Sequence, residues 1–127
     1  MTGPPRVLIA EDESQLLRVL VRVLEKQAYA VVSAADGNAA IDALRKTPPA
    51  IDIIVLDAAI GPAGAGAVLE VLAAEQPQIG VILTSGAQLS DALRSQLLGC
   101  KGLFLSKPFP PSALVEAVER SLVKESG

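Results

Sequence analysis

Histidine is absent from these 127 residues, tryptophan is absent too, and Cys100 is the only thiol. Without an imidazole there is no histidine general base, no Ser-His-Asp arrangement and almost no route to a zinc site. A single cysteine cannot close an internal disulfide, which fits a reducing, cytoplasmic setting. Aromatic residues make up only 2% of a chain that is half apolar, so Val, Leu, Ile and Ala must build the core. No apolar run reaches the roughly 18–20 residues that span a bilayer. The opening MTGPPRVLIAEDE lacks the basic and long apolar regions of a secretory signal. The net charge is −3 and no run exceeds a pair of basic residues, so phosphate-driven nucleic-acid binding is not expected.

What is present is alternation. Apolar, strand-like runs over 6–10, 30–34, 52–56, 80–84 and 102–105 alternate with helix-like segments over 13–27, 37–46, 65–75, 90–98 and 112–124. In the first helical segment Leu16, Leu17, Leu20, Val23 and Leu24 recur at helical spacing. Most of the strands are apolar on both faces, which suits a parallel sheet covered on both sides. Strict βα alternation predicts one doubly wound α/β domain with a core over about 6–122 and tails at 1–5 and 124–127.

Residues 51–72, IDIIVLDAAIGPAGAGAVLEVL, contain a strand that ends on a lone carboxylate, Asp57, with no basic residue near it in sequence. In doubly wound folds the ligand site lies beyond the carboxyl ends of the strands. The other strand exits are Glu11 and Asp12, then Ser85, then Lys107, with Asp36 after the second strand given no role. Three converging carboxylates repel one another and call for a cation. With no His or Cys among the candidates, that cation is a hard, oxygen-seeking ion such as Mg²⁺. A divalent ion, an ammonium from Lys107 and a hydroxyl from Ser85 around Asp57 make a site for a phosphoryl group carried on that carboxylate. The glycine-rich GPAGAG loop lacks the Lys of a P-loop, and Leu69 stands where GxGxxG requires a third glycine. It is read as a chain reversal that keeps bulk away from Asp57.

The segments VLIAEDE, IIVLD, ILTSG and LFLSKPF resemble the four signature segments of response-regulator receiver domains, in the same order. The resemblance covers the chain from Arg6 to about Leu122. It implies a flavodoxin-like (βα)5 fold, a five-stranded parallel sheet in the order 2-1-3-4-5. It implies Asp57 as the phosphoacceptor and Asp12 as a direct Mg²⁺ ligand, with Glu11 acting through water and the Ala59 backbone carbonyl as a further ligand. Ser85 and Lys107 then meet the phosphoryl oxygens, the Lys107–Pro108 bond is cis, and Phe104 is the aromatic switch. The implied donor is a histidine kinase or histidine phosphotransfer protein, docking near Ser14, Gln15, Arg18 and the 109–111 loop. The implied output is a downstream protein target meeting the fourth helix, fifth strand and fifth helix, including Leu93, Leu97, Val115 and Val118. No nucleic-acid or membrane partner is expected, no catalysis beyond the chain's own phosphorylation and dephosphorylation, and a homodimer is left open.

Departures from the family pattern fall in the 58–66 loop, where Gly61 precedes Pro62 and the proline comes one residue late. Ala59 and Ala87 occupy positions at which relatives often carry larger polar groups. With so few aromatics, Phe104 is also expected to sit partly in the core, Tyr29 to pack at a strand edge, and Cys100 to fill a turn as a small hydrophobe. Two other functions stay open. A phosphoaspartate hydrolase of the dehalogenase type would need a second Asp where Ala59 stands, and a phosphorylation-independent binding module would use the fold alone. After Val123 only KESG follows, so the expectation is either a stand-alone receiver or one taken from a longer chain.

Overall fold

Both faces of the central strands are buried because their residues alternate between two aliphatic layers. In the computed structural model, which describes residues 3–46 and 50–126, the order is β1 (Arg6–Ala10), α1 (Ser14–Lys26), β2 (Ala30–Ala34), α2 (Gly37–Arg45), β3 (Ile53–Asp57), α3 (Gly64–Glu75), β4 (Gly80–Ser85), α4 (Asp91–Gly99), β5 (Leu103–Ser106) and α5 (Pro111–Ser126). The strands form one parallel sheet in the order β2-β1-β3-β4-β5. Val7, Ile9, Ile53, Val55 and Ile82 face a layer containing Leu20 and Leu24 of α1 and Leu114 and Val118 of α5. Their neighbours Leu8, Ala10, Ile54, Leu56 and Leu83 face the opposite layer, with Leu44 of α2, Val68 and Leu72 of α3 and Leu97 of α4. That is the period of two of a strand, with both phases apolar. Each fully buried Leu or Ile contributes about 1.5–3 kcal/mol, so the core does without large aromatics.

Most expected elements shift by a residue. β3 begins at Ile53, just after Asp52, whose carboxylate accepts the Arg6 backbone N–H at 2.8 Å, and it runs on to Asp57 itself. Asp57 thus sits on the last rung of the strand rather than after it. α5 continues through Ser126, so the expected tail at 124–126 is helical; Met1, Thr2 and Gly127 lie outside the described residues. Phe104 is not core: it is 43% exposed. β5 is an edge strand on which Leu103 and Leu105 pack against the α5 layer, and Phe104, in the opposite phase, faces α4 without being covered by it. Cys100 is likewise exposed, at the C-cap of α4, while Tyr29 packs half-buried beside β2 as expected.

The 58–66 loop is held from an unexpected quarter. The Gly37 N–H at the start of α2 donates to the Pro62 carbonyl at 3.0 Å, and a Cβ on Gly37 would stand 2.5 Å from that same oxygen. Ala63 and Gly64 then adopt left-handed φ values of 80° and 73° to enter α3. Gly37→Ala is therefore expected to destabilise the domain by about 1–3 kcal/mol, the usual cost of overpacking against a backbone that cannot give. Urea unfolding measures this; an unchanged midpoint would show that the loop relaxes freely.

Candidate functional site

Parallel register brings the strand exits level. Ala10 pairs with Leu56, Asp57 with Thr84, and Ser85 with Ser106, so Glu11, Asp57, Ser85 and Lys107 leave the sheet along one rim. The Lys107 N–H donates to the Ser85 carbonyl at 2.8 Å, and the Ala58 N–H to the Thr84 carbonyl at 2.7 Å, which ties the loops above that rim. The Lys107–Pro108 peptide is cis.

One carboxylate oxygen from each of Glu11, Asp12 and Asp57 lies within 4.8 Å of the others. Glu11 and Asp57 are buried, at 2% and 4% exposure, whereas Asp12 faces solvent. The Lys107 ammonium donates to Glu11 Oε1 at 2.9 Å and stands 3.4 Å from Asp57 Oδ1. Glu11 Oε2 accepts the Glu13 N–H at 3.1 Å, and Asp57 Oδ1 the Ala59 N–H at 3.3 Å. Burial pushes the Glu11 carboxyl above its ordinary value, against the opposing pull of Lys107 and the Glu13 N–H. Burial alone would lower the Lys107 ammonium, but the hydrogen bond and charge of Glu11 and the charge of Asp57 outweigh it and hold it above its usual range.

Glu11, Asp12, Asp57 and Lys107 therefore meet, with Ser85 on the same rim through its backbone, but two side chains have partners other than those expected. Lys107 lies nearer Glu11, at 2.9 Å, than Asp57, at 3.4 Å, and so serves as countercharge to two buried carboxylates. The Ser85 hydroxyl is turned onto its own turn, donating to the Ala87 carbonyl at 2.7 Å and accepting the Ala87 N–H at 3.1 Å. Asp36, given no role from sequence, caps α2 by accepting the Ala39 N–H at 2.7 Å. A side-chain acceptor placed three residues ahead of that N–H was the available signal. Of the expected output residues, Leu97 and Val118 are core; on those elements Leu98, Phe104 and Val123 are the exposed large apolar groups among the described residues.

The donor set is all oxygen, close-set and partly dehydrated, with one ammonium against three carboxylates. It fits a small hard divalent cation and fits no soft metal.

Residues 7–119 match the family model for the response regulator receiver domain. The chain is 30% identical to the sensor kinase CckA of Brucella abortus over 98% of its own length, but over 13% of that kinase. It is 28% identical to the response regulator GtcR of Aneurinibacillus migulanus over 91% of its own length and 47% of that protein, so it spans about half or less of these relatives. A CheY-like receiver domain protein from Methanospirillum hungatei superposes with a TM-score of 0.86 at 19% identity, covering 98% of each chain, a likeness of fold.

Proposed function

The chain belongs to the response-regulator receiver family, and from that premise we propose that Asp57 is the residue that accepts a phosphoryl group from a phosphohistidine on a kinase or phosphotransfer protein. Receiver domains in general bind Mg²⁺ at an acidic pocket and interact with histidine kinases and downstream targets, as signalling modules rather than enzymes. The observation that carries the finer reading is the meeting of the Glu11, Asp12 and Asp57 carboxylates beside the Lys107 ammonium.

In the proposed step a carboxylate oxygen of Asp57 attacks phosphorus as the N–P bond breaks in line. The donor imidazole leaves with the electron pair and takes up a proton, and Asp57 becomes an acyl phosphate. Glu11, Asp12, Asp57 and the Ala59 carbonyl are the groups that would hold Mg²⁺, which when bound neutralises charge on the transferring oxygens. Lys107 needs only a small movement from Glu11 to meet those oxygens. Ser85 must give up its bond to the Ala87 carbonyl to donate to them, which draws the β4–α4 loop toward the site. Phe104 lines the cleft under that loop together with Gly86, Ala87, Leu89 and Leu98, so a change in the loop alters the α4–β5–α5 face.

Addition of Mg²⁺ is expected to stabilise the domain, by about 2.7 kcal/mol at one hundred times its dissociation constant, and a chelator to reverse this. Further addition of beryllofluoride, a phosphoryl mimic, should then shift the amide resonances of Ser85, Ala87, Phe104 and Lys107. A melting temperature indifferent to Mg²⁺, with a spectrum indifferent to both, would favour a phosphorylation-independent module.

A further inference from the structure

The turn between β2 and α2 touches both loops that carry the proposed metal ligands. At its start the Ala34 carbonyl accepts the Glu11 N–H at 3.0 Å, which ties the turn to the exit of β1. At its end the Gly37 N–H donates to the Pro62 carbonyl, in the loop that follows Asp57. β2 and β3 are not neighbours in the sheet, because β1 lies between them. The bond from Gly37 to Pro62 therefore bridges the β1 exit, where Glu11 and Asp12 stand. The Asp36 carboxylate, by accepting the Ala39 N–H, fixes the first turn of α2, from which Gly37 donates.

The loop after Asp57 is held on both sides of Ala59, but unequally. Upstream, the Ala58 N–H bonds to the Thr84 carbonyl, and the Ile60 side chain that follows Ala59 is buried. Downstream, Pro62 and Ala63 are exposed, Ala63 takes a left-handed φ of 80°, and no side chain caps α3. A non-glycine residue in that region costs energy and persists where its surroundings impose it. Here the imposing contact is Gly37. Besides the Pro62 oxygen, a Cβ at that position would meet the Ala63 Cβ at 3.1 Å and the Gly64 nitrogen at 3.2 Å. Only a residue without a side chain lets the two segments lie this close.

We infer that Gly37 is a positioning residue for the metal site. Held against Pro62, it fixes the downstream half of the loop that presents the Ala59 carbonyl, so metal occupancy and the Gly37–Pro62 contact favour one another. Gly37 touches no reacting atom and acts only through the loop. The inference rests on the Mg²⁺ reading of the acidic cluster and deepens it. Such coupling is reciprocal: a contact that strengthens metal binding is itself strengthened by bound metal.

Amide hydrogen exchange on the wild type tests one direction. Mg²⁺ should slow exchange of the Gly37 N–H several-fold. It should leave unchanged the Lys101 N–H, which donates to the Leu98 carbonyl at the far end of α4. A Gly37 N–H indifferent to Mg²⁺, or slowed no more than that of Lys101, overturns the inference. Gly37→Ala tests the other direction, in the cold and with its fold verified by circular dichroism. Its Mg²⁺ dissociation constant, from titration of the Asp12 and Ala59 amide resonances, should rise about tenfold or more, the usual cost of losing a group that orients a ligand. Val118→Ala, a cavity in the opposite layer of the core, controls for lost stability and should bind Mg²⁺ as wild type does. Gly37→Ala that binds as tightly as wild type overturns the inference, and so does an equal weakening in Val118→Ala. If Gly37→Ala does not fold, the exchange comparison decides alone. Wild type whose Asp12 and Ala59 resonances ignore Mg²⁺ refutes the metal reading itself, and the inference falls with it.

Discussion

Asp57→Asn is expected to reduce labelling by acetyl phosphate and Mg²⁺ to background while leaving the fold intact. The carboxamide keeps the shape of the side chain, and its oxygen can still accept the Ala59 N–H and face the Lys107 ammonium. What it lacks is the anionic oxygen that attacks phosphorus, so the covalent route is removed rather than slowed. The same change takes one negative charge from a cluster whose carboxylates lie within 4.8 Å of one another. Like-charge repulsion in the metal-free protein therefore falls, and without Mg²⁺ the variant should melt no lower than wild type. Its gain in stability on adding Mg²⁺ should shrink, because one of the three anionic ligands is gone. Intact-mass measurement for the gain of one PO₃ unit, paired with melting curves with and without Mg²⁺, reads both effects. Equal modification of the two proteins would mean that the acceptor is another residue.

The positions of the site residues were legible because topology sets them. Once the alternation of apolar runs implies parallel strands, every exit lies on one rim, and Glu11, Asp12, Asp57 and Lys107 come together, with Ser85 on the same rim, however distant they are in sequence. Which atoms they bond was not legible. That Lys107 lies nearer Glu11 than Asp57 depends on side-chain geometry at the rim, and that Ser85 bonds to Ala87 depends on the backbone of one turn. The same limit explains Phe104, whose exposure follows from how far α4 extends over an edge strand, a matter of packing rather than composition. Leu97 and Val118 were misplaced for want of helical phase: an apolar residue on the output elements is as apt to face the sheet as the solvent.

Lys107→Met should be the most destabilising change in the site, and one that added metal repairs. In wild type the ammonium lies 2.9 Å from Glu11 and 3.4 Å from Asp57, both almost wholly buried, so its removal leaves two carboxylates without a countercharge. Stranding one partner of a buried pair costs about 3–5 kcal/mol, and the partial solvent access of Lys107 brings the expected loss down to about 2 kcal/mol at neutral pH. The pH dependence has a definite sign. Burial already holds the Glu11 carboxyl above the unfolded value of 4.5, and loss of Lys107 raises it further. Between those two values the folded state binds more protons than the unfolded state, so the variant gains stability as pH falls toward 4.5 and its deficit against wild type narrows. For wild type, the contribution of Lys107, whose folded value lies above 10.5, is fully present below 10.5 and is lost as pH rises through that folded value. Saturating Mg²⁺ should narrow the deficit at neutral pH, because a cation among the same carboxylates does what the ammonium did. The double variant Glu11→Gln, Lys107→Met removes both charges and should recover most of the loss. Phosphorylation should stay low in both variants, since neither has an ammonium to meet the transferring oxygens. Urea titrations of the three proteins from pH 5 to 8, with and without Mg²⁺, separate these outcomes; a deficit independent of pH and of metal would mean that Lys107 stabilises through packing of its methylene chain and not as the countercharge of the cluster.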